Sequence, residues 1–184
     1  DISTLKEPFR VEGKKTLGYE IAEQLGWRLP DVIVYETGGG TGLIGMWKAF
    51  NELKLLGKVS GKLPRMVAAQ STGCAPVVKA FQQRENKTEF WENSETVALG
   101  LNVPGPIGGY WILRILYESN GIAVDVPESD LQNLTDEFNS ITRINAGPEA
   151  GVVWGAFQKL RNVGWIDNSQ SVVLFATGIE RCKL

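Results

Sequence analysis

Thr37-Gly38-Gly39-Gly40-Thr41-Gly42 puts four glycines and two threonine hydroxyls in six positions, directly after the apolar run Val32-Ile33-Val34-Tyr35. Glycine loses more backbone freedom on ordering than any other residue, so this cluster implies φ values or backbone approaches that a Cβ would forbid. An amphipathic stretch starts at Leu43. A strand, a glycine turn and a helix N-terminus in succession present unpaired N–H groups and the positive end of a helix dipole to one point. One reading is a tight turn that uses one or two glycines for packing. Four glycines and two hydroxyls exceed that need, and the other reading is a seat for phosphate or another oxyanion. The spacing is not G-x-x-x-x-G-K-[ST], because the next lysine is Lys48, nor G-x-G-x-x-G, because position 43 is Leu. Without a loop lysine or an evident magnesium ligand, the phosphate reads as part of a cofactor held by backbone N–H groups.

Four other residues carry candidate chemistry. Thr177, in Phe175-Ala176-Thr177-Gly178, is either a turn residue or a hydroxyl aimed at a ligand in the same crevice. Cys74 reads as a buried small residue more readily than as a nucleophile, since nothing nearby in sequence would lower its pKa. Glu149 is a helix-terminus acid or a site-lining group. Glu36 is either surface or a carboxylate that must point away from an anion nest. The chain has no histidine, which removes Ser-His-Asp and Cys-His catalysis and His-supported zinc. Acid–base work would fall to Lys, Tyr, Asp, Glu, Cys or a cofactor phosphate.

Around these residues, 184 positions suffice for one well-buried core, read as a single α/β domain over 1–184. No apolar run reaches the roughly 20 residues of a membrane span, and the opening shows no signal-peptide pattern. Cys74 and Cys182 make neither a disulfide framework nor a metal-ligand spacing, so a reducing, cytoplasmic location is expected, with no metal. A net charge of −2 and no basic stripe argue against a nucleic-acid partner.

Periodicity supplies the elements that must position the loop. Helices are expected over 16–25, 43–56, 75–82, 110–119, 129–142 and 148–163, and strands over 32–35, 65–70, 122–126 and 171–175. Ser129-Asp130-Leu131-Gln132 reads as a capping box, and Pro148 and Glu149 as first-turn residues. Residues 83–94 read as a surface excursion and 97–109, dense in Gly and Pro, as a shaped loop. Mostly apolar strands alternating with helices argue for a three-layer αβα fold on a mainly parallel sheet. The loop at 37–42 and Thr177 then share the edge past the strand carboxyl ends, where open α/β sheets bind ligands.

Several segments resemble threonine synthase, of the pyridoxal-phosphate (PLP) family that shares the tryptophan synthase β-subunit fold. They are Glu12-Gly13-Lys14-Lys15-Thr16 with Glu20-Ile21-Ala22, the loop continued through Leu43-Ile44-Gly45-Met46-Trp47-Lys48-Ala49-Phe50, and Gln70-Ser71-Thr72-Gly73-Cys74-Ala75-Pro76. Ile112-Leu113-Arg114, Pro148-Glu149 and Phe175-Ala176-Thr177-Gly178 continue the likeness over nearly the whole chain. The resemblance implies the C-terminal part of the large domain of a fold-type II PLP enzyme. It implies PLP as cofactor, its phosphate on Gly38, Gly39, Gly40, Thr41 and Gly42, and its pyridine nitrogen at Thr177. A neutral hydroxyl there suits replacement and elimination chemistry by tempering the ring's electron demand. The implied reaction converts O-phosphohomoserine and water to threonine and phosphate.

The family's Schiff-base lysine lies in an upstream Asn-Pro-Thr-Gly-Ser-Phe-Lys-Asp-like segment with no counterpart here, so no catalytic residue is assigned. Lys14, Lys15 and Lys48 fall where the family has no catalytic lysine. The chain is therefore expected to be a C-terminal portion that pairs with a missing N-terminal part or forms a homodimer, taking a phosphorylated amino-acid substrate only when complete. A non-catalytic phosphate- or PLP-binding module is the alternative. Departures from the family pattern stand at Glu36, in place of Pro, at Gly105-Pro106, at Ala150-Gly151-Val152, and at Ala176 and Glu180.

Overall fold

The computed structural model describes residues 5–179; Glu180 and Cys182 lie outside them. Its strands are β1 (Val32–Glu36), β2 (Arg65–Ser71), β3 (Ile122–Val126) and β4 (Val172–Leu174), paired in the order β3-β2-β1-β4. Every pairing is parallel, with Val34 opposite Val67 on one side and Leu174 on the other. The helices are α1 (Phe9–Gln24), α2 (Thr41–Leu55), α3 (Pro76–Gln82), α4 (Gly109–Glu118), α5 (Leu131–Thr142) and α6 (Pro148–Asn162).

Strand side chains alternate between faces, and that alternation divides the core in two. Ile33, Tyr35, Met66, Ala68 and Ala123 point into a cluster with Leu43, Met46 and Phe50 of α2, Val77 and Val78 of α3, and Ile112, Leu113 and Leu116 of α4. Val32, Val34, Val67, Ala69, Val124 and Val126 point the other way, onto Leu131 of α5 and Val152, Val153, Ala156 and Leu160 of α6. The result is the three-layer fold expected from the sequence, with a wholly parallel sheet. Burial on both faces explains why β1 reads as a continuous apolar run.

Four local expectations need correction. Helix α1 starts at Phe9 and not at residue 16. The Glu7 carboxylate accepts the backbone N–H groups of Phe9, at 2.5 Å, and Arg10, at 3.2 Å, which stabilises a first half too polar to show apolar periodicity. Helix α2 starts at Thr41, so two residues of the glycine loop form its first turn. The capping box at 129–132 does not form. A 3₁₀ turn, Glu128–Asp130, runs straight into α5, and Asp130 sits in helical conformation with no side-chain cap bond. Its carboxylate instead accepts the Ser129 hydroxyl at 2.9 Å, because a capping box requires an extended N-cap residue. Strand β4 covers three residues of the five expected.

Leu113 is fully buried in the larger cluster, whereas Leu55 is 87% exposed. Leu113→Ala is expected to cost about 3 kcal/mol in urea unfolding and Leu55→Ala less than about 0.5 kcal/mol. Similar losses in the two variants would contradict this packing.

Candidate functional site

The chain steps outward from β1 to β2 and β3, then returns to the opposite side of β1 to form β4. Such a reversal opens a crevice at the strand carboxyl ends. A cavity of about 510 Å³ lies there, lined by residues 38–42 and by Glu36, Thr177 and Glu149. The segment around the 3₁₀ turn Leu99–Leu101 adds Gly100, Leu101 and Val103 to its wall. The structure thus brings Gly38, Gly39, Gly40, Thr41, Gly42 and Thr177 together as expected from the sequence.

The glycines have two duties. Gly40 is the N-cap of α2 with φ +80°, and a Cβ there would lie 2.3 Å from Ile112 Cδ1. A Cβ on Gly42 would meet the Tyr35 hydroxyl at 2.1 Å, and one on Gly38 would meet the Gly100 carbonyl at 2.8 Å. Packing and backbone conformation therefore account for three of the four glycines, so the packing reading holds as well. It does not account for the donors. Among the described residues, no hydrogen bond is donated by the backbone N–H groups of Gly38, Gly39, Gly40, Thr41 or Gly42. Five unpartnered donors at a helix N-terminus, with no side chain to cap them, fit an anion. Only one of the two threonine hydroxyls is available to it. Thr37 donates its hydroxyl to the Tyr35 carbonyl at 2.9 Å and is fully buried, while Thr41 lines the cavity.

Glu36 is neither on the surface nor turned out of the site. It is 3% exposed, and its Oε1 accepts the Thr177 N–H at 3.0 Å and the Thr177 hydroxyl at 2.5 Å. Its Oε2 is buried with no hydrogen-bond partner among the described residues. Burial pushes the Glu36 carboxyl above the ordinary glutamate range, against the pull of the Thr177 bonds, and the charge of Glu149 adds to the rise. Burial also pushes Tyr35 up to about 12, so its phenol stays protonated.

Glu149 fulfils both of its sequence readings. It stands in the first turn of α6 and lines the cavity, with Oε1 accepting the Gly100 N–H at 2.9 Å. It thereby holds the cavity wall to α6. Cys74 is fully buried, its thiol pushed up by burial, as a packing residue would be. Lys15 pairs with Glu12 at 2.7 Å and Glu52 at 2.9 Å, and Lys48 pairs with Glu12, so both tie α1 to α2. Lys14 instead lines the cavity, carried there where α1 crosses α2 closely enough that a Cβ on Gly45 would touch its Cβ at 2.7 Å. Sequence reading missed Lys14 and the wall at Gly100–Val103; the glycine–proline density of 100–109 was the available signal for the second. Among the described residues no three His, Cys, Asp or Glu side chains gather to hold a metal ion, and no helix is long and apolar enough to cross a membrane.

Residues 2–178 match the family model described as pyridoxal-phosphate dependent enzyme. The chain is 32% identical to the threonine synthase of Methanosarcina acetivorans over 171 residues, covering 93% of this chain and 42% of that protein. It is 30% identical to the threonine synthase of Methanocaldococcus jannaschii, with the same coverage. The chain thus spans less than half the length of these relatives. The fold is similar to that of an L-serine ammonia-lyase from the fungus Rhizomucor miehei, with a TM-score of 0.75 and 18% identity over 92% of this chain and 52% of that one.

The raised Glu36 pKa has a signed consequence for stability. The folded protein holds this proton more tightly than the unfolded chain, so the stability it contributes is complete below the ordinary value of 4.5 and is lost as pH rises through the folded value. Glu36→Gln removes that loss. In urea unfolding from about pH 4 to about pH 8, the variant's stability relative to wild type is expected to climb with pH and then level off. A difference independent of pH would refute the assignment.

Proposed function

The chain belongs to the pyridoxal-phosphate-dependent enzyme family, and on that premise we propose that its cavity seats the phosphate of PLP on the glycine loop. The reaction we propose for the protein it represents is that of threonine synthase, O-phosphohomoserine and water giving threonine and phosphate. The observation that carries the cofactor reading is the row of unpartnered N–H groups from Gly38 to Gly42, inside a cavity at the carboxyl edge of a parallel sheet. The relatives named threonine synthase support the finer assignment.

The residues fit such a group. The loop donors and the Thr41 hydroxyl would bind and orient the phosphate at the positive end of the α2 dipole. Thr177, on the β4 side of the crevice, would meet the ring nitrogen. The wall at Gly100–Val103, tied to α6 through Glu149, forms one side of the cavity that holds the loop. When bound, PLP supplies an electron sink for bond-making and bond-breaking on the substrate. The lysine that carries the cofactor is not assigned to this chain, because Lys15 and Lys48 are held in the α1–α2 ion cluster and Lys14 stands outside any matching lysine motif. On this reading the 184 residues supply the anchor and not the reactive amine.

Titration with PLP, followed by borohydride reduction and peptide mapping, tests both parts. Saturable binding that inorganic phosphate competes away, with no reducible adduct at a defined lysine, is the expected result. A flat titration would remove the cofactor reading. A stoichiometric adduct on Lys14 would keep the cradle and overturn the lysine assignment.

A further inference from the structure

A threonine hydroxyl has one hydrogen to donate and two lone pairs to offer. In the structure Thr177 directs that hydrogen at Glu36 Oε1, 2.5 Å away, and its backbone N–H reaches the same oxygen at 3.0 Å. What remains of the exposed Thr177 hydroxyl for the cavity is lone pairs. Glu36 stands behind it, 3% exposed, with Oε2 buried and unpartnered among the described residues. A buried carboxyl in this state is a strong demand for hydrogen bonds, and Thr177 is the group that answers it.

We propose that Glu36 is a positioning residue that fixes the hydrogen-bond polarity of Thr177, so that the site accepts a hydrogen bond from the ring nitrogen and selects the protonated pyridinium form. The inference rests on the reading that Thr177 meets the ring nitrogen of PLP. It reverses what the resemblance implied: a hydroxyl backed by a carboxylate strengthens the ring's electron demand where a hydroxyl alone would temper it. No bond of the protein breaks in this selection, since the nitrogen takes its proton from water. The groups facing Glu36 favour the arrangement's dependence on pH. Glu149 approaches from α6 and adds negative charge, Tyr35 on β1 stays neutral, and Lys14 of α1 lines the same cavity. When Glu36 becomes the neutral acid it can donate to the Thr177 oxygen, and the hydroxyl hydrogen is then free to turn toward the ligand. Burial holds the carboxyl above the ordinary glutamate range, which brings this reversal toward neutral pH.

A test needs the ring and the phosphate but no lysine chemistry. The probe is 4′-deoxypyridoxine 5′-phosphate, which lacks the aldehyde, labelled with ¹⁵N in the ring. Its nitrogen shift is followed against pH when bound to the wild-type chain, to Glu36→Gln and to Thr177→Val. The amide of Glu36→Gln keeps the shape but can donate to Thr177, and Thr177→Val removes the relay at an exposed position that leaves the core intact. In wild type the bound nitrogen is expected to stay protonated to higher pH than in the free probe, and in both variants the titration is expected to fall back toward the free value. A wild-type titration equal to that of the free probe, or one unchanged by Glu36→Gln and by Thr177→Val, overturns the inference while leaving the cradle in place. Failure of the probe to bind any of the three proteins overturns the PLP reading itself, and this inference with it.

Discussion

Everything around the site depends on how little room is left at the carboxyl end of β1. Tyr35, Ile112 and the Gly100 carbonyl close on the backbone there, and Gly38, Gly40 and Gly42 fit against them only because they lack side chains. That constraint fixes where α2 begins, which in turn decides where its unpartnered N–H groups point. Gln70 braces the same corner from β2. Its Nε2 donates to the Thr37 carbonyl at 2.9 Å, and its Oε1 accepts the Val77 and Val78 N–H groups at 2.9 and 3.1 Å, so one buried amide serves both the loop and the start of α3.

The opposite wall of the cavity is governed by charge. Two carboxylates, Glu36 and Glu149, line a space that also holds the loop's backbone donors and Lys14. Each is committed to a local partner: Glu36 to Thr177, and Glu149 to the Gly100 N–H. The crevice thus joins an anion-favouring helix N-terminus with a buried acid bonded to Thr177, which follows β4. A ligand with a phosphate at one end and a basic nitrogen at the other matches that polarity, and PLP has both.

The sequence made the layered fold legible because period-2 and period-3.6 patterns survive wherever one face is buried. Ile33 and Tyr35 against Val32 and Val34 sort without ambiguity. The start of α1 was not legible, since its first turn is held by the Glu7 carboxylate while its buried residues, Gly18, Ile21 and Ala22, all lie in its second half. The failed capping box shows the opposite error, a correct set of residue types on a backbone that a 3₁₀ turn had already committed to helix. Within the site, the glycine loop stood out by composition alone. The roles of Glu36 and Lys14 did not, because each depends on a contact between elements far apart in sequence: Glu36 meets Thr177 across the β1–β4 pair, and Lys14 reaches the cavity through the α1–α2 crossing.

The dual employment of Gly38, Gly40 and Gly42 has an evolutionary consequence. Each would collide with a neighbour if given a side chain, so purifying selection for folding suffices to preserve the motif whether or not a ligand is ever bound. A lineage that lost its chemistry would keep this signature almost unaltered, while Thr177, exposed on the cavity, is under no such packing constraint. In descendants of this fold the glycines therefore record ancestry rather than activity.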